Sequence, residues 1–370
     1  MPTVIDLFAG AGGLGLGAAR AGFNVAAAVE LDSFALETHN KNFPRTIHIP
    51  RDVAGLSGDE LLRFAGVLPG GLDGLIGGPP CQGFSSIGQQ RMDDPRNNLF
   101  SHFFRLVQET RPKFFLAENV LGILNEKYDR IRNVAFNLVR NNYNLLEPVI
   151  VKASDYGAPT IRTRVFFIGY DPQYMDDITP NDFSPPIDVE PTKVKIALSG
   201  LPINISPYWQ TEISGWREIG TTAESRFFDH IVNNVPNGLG DQRSLDLYFG
   251  KRMVSGCMGT RHSKEVEDRY KSLKYGQQDR ISRSVRLDPE GFCPTLRAGT
   301  ARDRGSYQAV RPIHYEKPRV VTPREAARLQ GFPDWFVFHS TKWHSFRQIG
   351  NSVSPIVSER ILSVLNDNLQ

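Results

Sequence analysis

The sequence predicts an α/β fold built on a mostly parallel sheet. Two observations carry the prediction. Short apolar runs alternate with helix-like stretches over residues 1–170, and a glycine-rich turn joins the first run to the first helix-like stretch. Strands separated by helical crossovers pair in parallel, because the crossover returns the chain to the same end of the sheet. A length of 370 residues corresponds to about two domains at roughly 150 residues each.

The elements follow in order. Val4–Phe8 is an apolar run of strand length, and Leu14–Arg20 behind the glycines is helix-like. Val25–Val29 is a second buried strand, closed by Glu30. Leu72–Ile76, Phe114–Ala117 and Val165–Ile168 are further strands, apolar throughout, as strands covered on both faces are. Residues 98–110 and 130–141 carry apolar positions at helical spacing. After Tyr170 the texture changes: seven prolines fall between Pro172 and Pro207 and periodicity fades. This predicts one domain at 1–180, completed by 345–370, and a second, smaller irregular domain at 181–344. Thr322-Pro323-Arg324-Glu325 has the form of a capping box with proline at the first helical position, starting a helix through about Leu329. Pro355–Asn366 is predicted to be a terminal amphipathic helix.

Composition excludes several classes. Hydrophobic residues at 40% and charged residues at 22% are those of a soluble globular protein. No apolar run approaches the ~20 residues of a membrane span. The apolar N-terminus lacks a basic start and is broken by Asp6, which argues against a secretory signal. Three dispersed cysteines, Cys81, Cys257 and Cys293, form no disulfide framework and point to a reducing, cytoplasmic setting. Eight scattered histidines and no CxxC or HExxH spacing predict no metal. The net charge is only +3, but residues 251–350 carry 20 basic and 10 acidic side chains. That asymmetry suits a segment facing a polyanion.

Four places can carry chemistry. Asp6–Gly15 lies between strand and helix, where glycines bring backbone close to a ligand at the helix N-terminus. Glu30 closes the next strand, where an acid binds ribose hydroxyls of an adenosine-containing cofactor. The same turn satisfies GxGxxG, so a nicotinamide or flavin dinucleotide is an alternative from this motif alone. Gly77-Gly78-Pro79-Pro80-Cys81-Gln82-Gly83-Phe84-Ser85 follows a buried strand and presents a proline-stiffened cysteine suited to nucleophilic attack. Glu118 and Asn119 follow the Phe114–Ala117 run, where a carboxylate can hold or deliver a proton; a salt-bridged structural acid is the competing reading. If the last strand extends back to Arg162 and Arg164, both arginines share one face and can clamp an anion or a base carbonyl.

In order and spacing, Asp6–Gly15, Gly77–Ser85, Glu118–Val120 and Arg162–Arg164 resemble the C5-cytosine DNA methyltransferases of the bacterial type II modification type. Arg319–Pro333 is similar to that family's RxLTxRExxRLQGFP block, and Gln348–Val353 to its QxGNSV block. The resemblance covers the chain except about 185–290. It implies an S-adenosylmethionine-dependent methyltransferase fold with a smaller target-recognition domain. The implied activity flips a cytosine out of duplex DNA, adds Cys81 to C6 and methylates C5, leaving S-adenosyl-L-homocysteine. Glu118 would engage the N3/N4 edge, Arg164 the O2 atom, with Arg162 beside them and Asn119 orienting the neighbouring loop. Phe8, Gly10, Gly12, Gly13, Glu30, Asp52, Pro80, Leu99, Asn351 and Ser352 would form the cofactor pocket. The loop 85–98 would close over DNA, with Ser85 and Arg96 touching it, and Arg280, Arg283, Arg297, Arg302 and Arg304 would bind DNA from the basic segment. The family commonly has Gln where this chain has Thr160, which bears on the hydrogen bonding of that loop. A prokaryotic, cytoplasmic monomer, paired with a restriction endonuclease, is the implied setting. A tRNA cytosine methyltransferase of the same fold is the alternative within the class.

Overall fold

The computed structural model describes residues 1–80, 97–211, 213–299 and 310–370. Strand β1 (Thr3–Leu7) runs into helix α1 (Gly13–Arg20), then β2 (Asn24–Val29), α2 (Ser33–Asn42) and β3 (Ile47–Ile49). Helix α3 (Gly58–Ala65) leads to β4 (Gly74–Gly77), α4 (Asn97–Thr110) and β5 (Phe114–Asn119). Helix α5 (Asp129–Asn137) precedes β6 (Asn144–Leu145), β7 (Val149–Lys152) and β8 (Thr163–Tyr170). The sheet order is β3-β2-β1-β4-β5-β8-β6, with β7 also on β8. The first five strands are parallel, and β8 is antiparallel to β5, β6 and β7.

Two strands are longer than their apolar runs. β5 continues through Glu118 and Asn119 because both residues stay paired with β8, opposite Phe166 and Val165. β8 spans Thr163–Tyr170 for the same reason. Ladder pairing, not side-chain polarity, ends a strand. By contrast β1 stops at Leu7, since Phe8 turns into the left-handed region at φ +58°.

Beyond Tyr170 the elements are short: α6 (Val194–Leu198), β9 (Arg217–Glu218), α7 (Gln242–Lys251), β10 (Met253–Val254) and α8 (Lys264–Ser272). Helix α9 (Pro323–Gln330) starts at the expected capping box, with Thr322 and Glu325 each bonding the other's backbone. Helices α10 (Lys342–Asn351) and α11 (Pro355–Asp367) complete the chain. α11 returns to α1: Ser358 Oγ donates to Gly13 O at 3.0 Å, and a Cβ on Gly17 would lie 2.0 Å from that hydroxyl. One apolar core joins Val4 and Leu14 to Phe228, Trp335 and Leu365; a second, under the opposite sheet face, is packed by Phe100, Phe103, Phe104 and Phe115.

Part of the positive charge in 251–350 is internal. Arg324 and Arg328 are buried, Arg324 donating to Ser255 O at 2.8 Å and Phe336 O at 2.7 Å, Arg328 forming a two-point pair with Asp334. Arg319 pairs in the same way with Glu325 at 2.7 and 2.9 Å. Burial opposes ionisation of Glu325, yet Arg319 beside it holds the carboxyl down at about 2. Planar guanidinium forks suit such buried carboxylate partners.

Candidate active site

The parallel registers pair Leu7 with Val29 and Gly77, and Gly77 with Ala117. The carboxyl ends of β2, β1, β4 and β5 therefore finish level. Glu30, Phe8, Gly78 and Glu118 stand next to one another along that edge. β8 runs the other way and begins there, opposite Asn119. It sets Arg164 against the same edge. Open α/β sheets bind ligands at this edge, where the strand order reverses between β1 and β4.

At β1 the turn is shaped by three glycines with different surroundings. A Cβ on Gly12 would meet the Phe43 ring at 2.4 Å, and one on Gly13 would meet Val353 O at 2.4 Å. Those two glycines admit protein. Gly10, at φ +58°, has no described atom nearer its Cβ position than Phe8 O at 4.0 Å, so it is the glycine open to a ligand. Its amide donates to Glu30 Oε2 at 2.9 Å, and Asp32 N donates to Oε1 at 2.7 Å. Burial pushes the Glu30 carboxyl up, and these amides oppose the shift. Each oxygen keeps lone-pair capacity for a hydroxyl.

Asp6 lies beneath this turn and is fully buried. Neither of its oxygens has a well-formed hydrogen bond. Burial, then the nearby Glu30 charge, push its carboxyl well above the usual range, with the Gly15 amide opposing. His39, whose Nε2 is likewise unbonded, lies alongside; its Nδ1 is 2.9 Å from His48 Nε2. Motif spacing does not single out Asp6 or His39 as site residues. Their signal in the sequence is a carboxylate inside an apolar strand, and for His39 there is none.

At β4 and β5 the chain clamps the segment before Cys81. Asn119 Nδ2 donates to Pro79 O at 3.3 Å, and its Oδ1 accepts from Val120 N at 2.9 Å. Glu118 Oε2 lies 3.3 Å from a Cβ position on Gly78. Arg164 Nε approaches Glu118 Oε1 at 2.8 Å without hydrogen-bond alignment, so the oxygen's lone pairs stay unclaimed. Arg164 Nη1 is held by Thr163 O at 2.7 Å. The salt-bridged reading and the chemical reading of Glu118 thus meet in one pair.

β8 begins at Thr163, and Arg162 just before it still accepts from Ala153 N at 2.8 Å. Its guanidinium donates to Leu296 O at 3.0 Å and Asn351 O at 3.4 Å. Thr160 joins the same tether, donating to Cys293 O at 3.1 Å. Asp52 caps the turn after β3 through Ala54 N and is exposed. Pro80 and Leu99 are half-buried, Asn351 is exposed, and Ser352 is buried with its hydroxyl on Gln348 O. Arg280, Arg283 and Arg297 are exposed, whereas the guanidinium groups of Arg286 and Arg252 are held on backbone carbonyls. Cys81, Ser85, Arg96, Arg302 and Arg304 lie outside the described residues. Cys257 and Cys293 are buried, and burial pushes the Cys257 thiol up to about 12. Neither suits a nucleophile.

Residues 2–367 match the family of C-5 cytosine-specific DNA methylases, and the chain belongs to that family. It is a DNA (cytosine-5-)-methyltransferase, which removes the dinucleotide oxidoreductase alternative. Among its relatives is the type II methyltransferase M.XorII of Xanthomonas oryzae pv. oryzae, 37% identical over 97% of this chain and 83% of that protein. M.DdeI of Desulfomicrobium norvegicum is 32% identical over 97% of this chain and 87% of its own length. An E. coli prophage-encoded protein, described as a putative DNA modification methyltransferase, superposes with a TM-score of 0.89 at 53% identity, over 100% of this chain and 99% of that one. The Dnmt2 methyltransferase of S. pombe shares the fold, with a TM-score of 0.64 at 17% identity over 99% of each chain.

Proposed function

We propose that the chain methylates C5 of a cytosine turned out of duplex DNA, with Cys81 as nucleophile. One observation carries this reading: Glu118 with Arg164, and Asn119 on Pro79, converge on the segment that leads into Cys81. Glu118 is only 8% exposed at a sheet edge, so a base stacked in a duplex is out of its reach.

The edge at β1 and β2 fits S-adenosylmethionine. Gly10 leaves backbone open, and Glu30 keeps acceptor capacity for a ribose diol. Phe8, Gly12, Gly13, Asp52, Pro80, Leu99, Asn351 and Ser352 would complete the pocket. When bound, this cofactor supplies an electrophilic methyl group to C5. The Cys81 thiolate adds to C6, and the C5–C6 π electrons become enamine-like at C5. Glu118 holds the N3/N4 edge and stabilises that electron shift. Arg164 takes O2 and keeps Glu118 in place. Water removes the C5 proton, the double bond re-forms, and Cys81 leaves as thiolate.

Residues 181–344 act as the DNA-reading domain, and 1–180 with 345–370 as the catalytic one. Arg280, Arg283 and Arg297 present exposed positive charge for this role; Ser85, Arg96, Arg302 and Arg304 belong to the same proposal. The names of the type II relatives favour a partner restriction endonuclease and a prokaryotic cytoplasm, and the enzyme is proposed to act as a monomer. Incubation with labelled S-adenosylmethionine and mixed-sequence duplex DNA tests the reading. Label at cytosine C5 is expected; folded protein that labels no duplex refutes it.

A further inference from the structure

The geometry points to His102 as a further residue of the cofactor pocket, one that donates from Nε2 to a ring nitrogen of the adenine. This rests on the S-adenosylmethionine reading above, in which Asp52 and Leu99 belong to the same pocket. Asp52 follows β3 at the carboxyl edge of the sheet, where Glu30 N donates to Ile49 O at 3.2 Å. It is exposed, and its Oδ1 caps the turn Val53–Gly55 by accepting from Ala54 N at 2.9 Å. Helix α4 lies against that turn: Val53 and Leu56 share a core with Phe100, Phe103 and Phe104. Arg105 on α4 locks the two together. Its Nη2 donates to Val53 O at 3.0 Å and Leu56 O at 2.8 Å, and its Nη1 to the two Glu109 oxygens at 2.8 and 2.9 Å. Its Nε donates to His102 Nδ1 at 3.1 Å. Glu109 is itself fixed at the start of α3, accepting from Gly58 N at 2.6 Å.

Every N–H of the guanidinium is thereby used inside the protein, and one of them orients a half-buried histidine. The bond fixes the tautomer. Because Nδ1 accepts from Arg105, the neutral ring carries its proton on Nε2. Burial, then the Arg105 charge, push the imidazole down, with Asp52 and Glu109 opposing, so the ring stays neutral and Nε2 stays a single donor. That N–H has no acceptor among the described residues. His102 stands one helical turn after Leu99, and residues three apart are neighbours on a helix surface. The core side of α4 is taken by Phe100, Phe103 and Phe104, so the imidazole is not what packs the helix. The turn capped by Asp52 and the ring of His102 meet at the same guanidinium, which sets a carboxylate acceptor beside an N–H donor. Adenine is the complement of that pair: its 6-amino group donates, and the ring nitrogens flanking it, N1 and N7, accept. Asp52 takes the amino group, and His102 takes a flanking nitrogen.

The test is calorimetric binding to the full chain, for wild type, His102→Ala and His102→Gln. The probes are S-adenosylhomocysteine and two analogues in which adenine N1 or N7 is replaced by C–H. His102→Ala is expected to weaken S-adenosylhomocysteine about tenfold, the size of one lost hydrogen bond to the ligand. His102→Gln keeps an amide N–H near the Nε2 position and should recover to within about threefold of wild type. Against one of the two analogues, wild type and His102→Ala should bind within about twofold of each other, because the acceptor is gone from the ligand. A His102→Ala affinity for S-adenosylhomocysteine within about twofold of wild type overturns the proposal. So does a loss of the same size for S-adenosylhomocysteine and both analogues, since that marks support of the Asp52 turn and no contact with the base. If wild type itself does not bind S-adenosylhomocysteine, the cofactor reading fails instead.

Discussion

Asn119 offers a sharp test of how the site is positioned. Its side chain is buried, donates to Pro79 O at 3.3 Å and accepts from Val120 N at 2.9 Å. It is therefore the pin between the segment leading into Cys81 and the end of β5 carrying Glu118. In Asn119→Ala both partners lose a bond in a buried setting. At ~1–3 kcal/mol for each group left unsatisfied, less what water recovers, the fold should lose roughly 2–3 kcal/mol. Asn119→Asp separates the two bonds. The carboxylate still accepts from Val120 N but faces the Pro79 carbonyl as acceptor against acceptor. The Pro79 clamp is released while the β5 end stays held. A displacement of about 1 Å in the proline segment costs ~100-fold in rate when the reacting atom is carried on it. Both variants should thus lower kcat by one to two orders of magnitude. S-adenosylhomocysteine affinity, set mainly at β1 and β2 with Pro80 at the margin, should fall by less than kcat does. Single-turnover transfer of labelled methyl, calorimetry and thermal melting separate these readouts. A folded Asn119→Asp enzyme with kcat within twofold of wild type refutes the pin.

Cys81→Ala should abolish turnover and leave DNA binding largely intact, read by methyl transfer beside gel shift; residual turnover above a thousandth of wild type contradicts the nucleophile. Gly10→Ala should lose at most ~1–2 kcal/mol of stability from its left-handed φ, yet weaken S-adenosylhomocysteine at least about tenfold, a 1.4 kcal/mol effect. Unchanged affinity in calorimetry would show that the ligand does not approach that backbone. Glu325→Gln leaves Arg319 without its buried partner and should destabilise by ~3–5 kcal/mol. Because Arg319 holds the Glu325 carboxyl at about 2, its contribution is complete above the ordinary carboxylate range and fades as pH falls from ~5 towards 2. Wild type should therefore lose melting temperature over that window more steeply than Glu325→Gln, and parallel slopes would remove Glu325 from the acid response.

The strand–helix alternation, the capping box at Thr322 and the order of the blocks around Gly10, Pro80, Glu118 and Arg164 are all legible in the amino-acid order. These are local: apolar period, turn chemistry and residue spacing leave their mark within a few positions. That order also determined the family, because those blocks recur together. What it left open was decided by partners distant in the chain. The ends of β5 and β8 follow from their mutual ladder, which no single run encodes. The motif shows that Gly12 and Gly13 are glycines, but only the fold shows that a Cβ on them would meet Phe43 and Val353. Arg162 reads like Arg164 and yet reaches Leu296, 134 positions away. The basic excess of 251–350 reads as one DNA-facing surface, but burial of Arg319, Arg324 and Arg328 takes part of it inside. A sequence states which charges exist. Only packing decides which are neutralised by a buried partner and which remain, as at Arg280 and Arg283, exposed to another molecule.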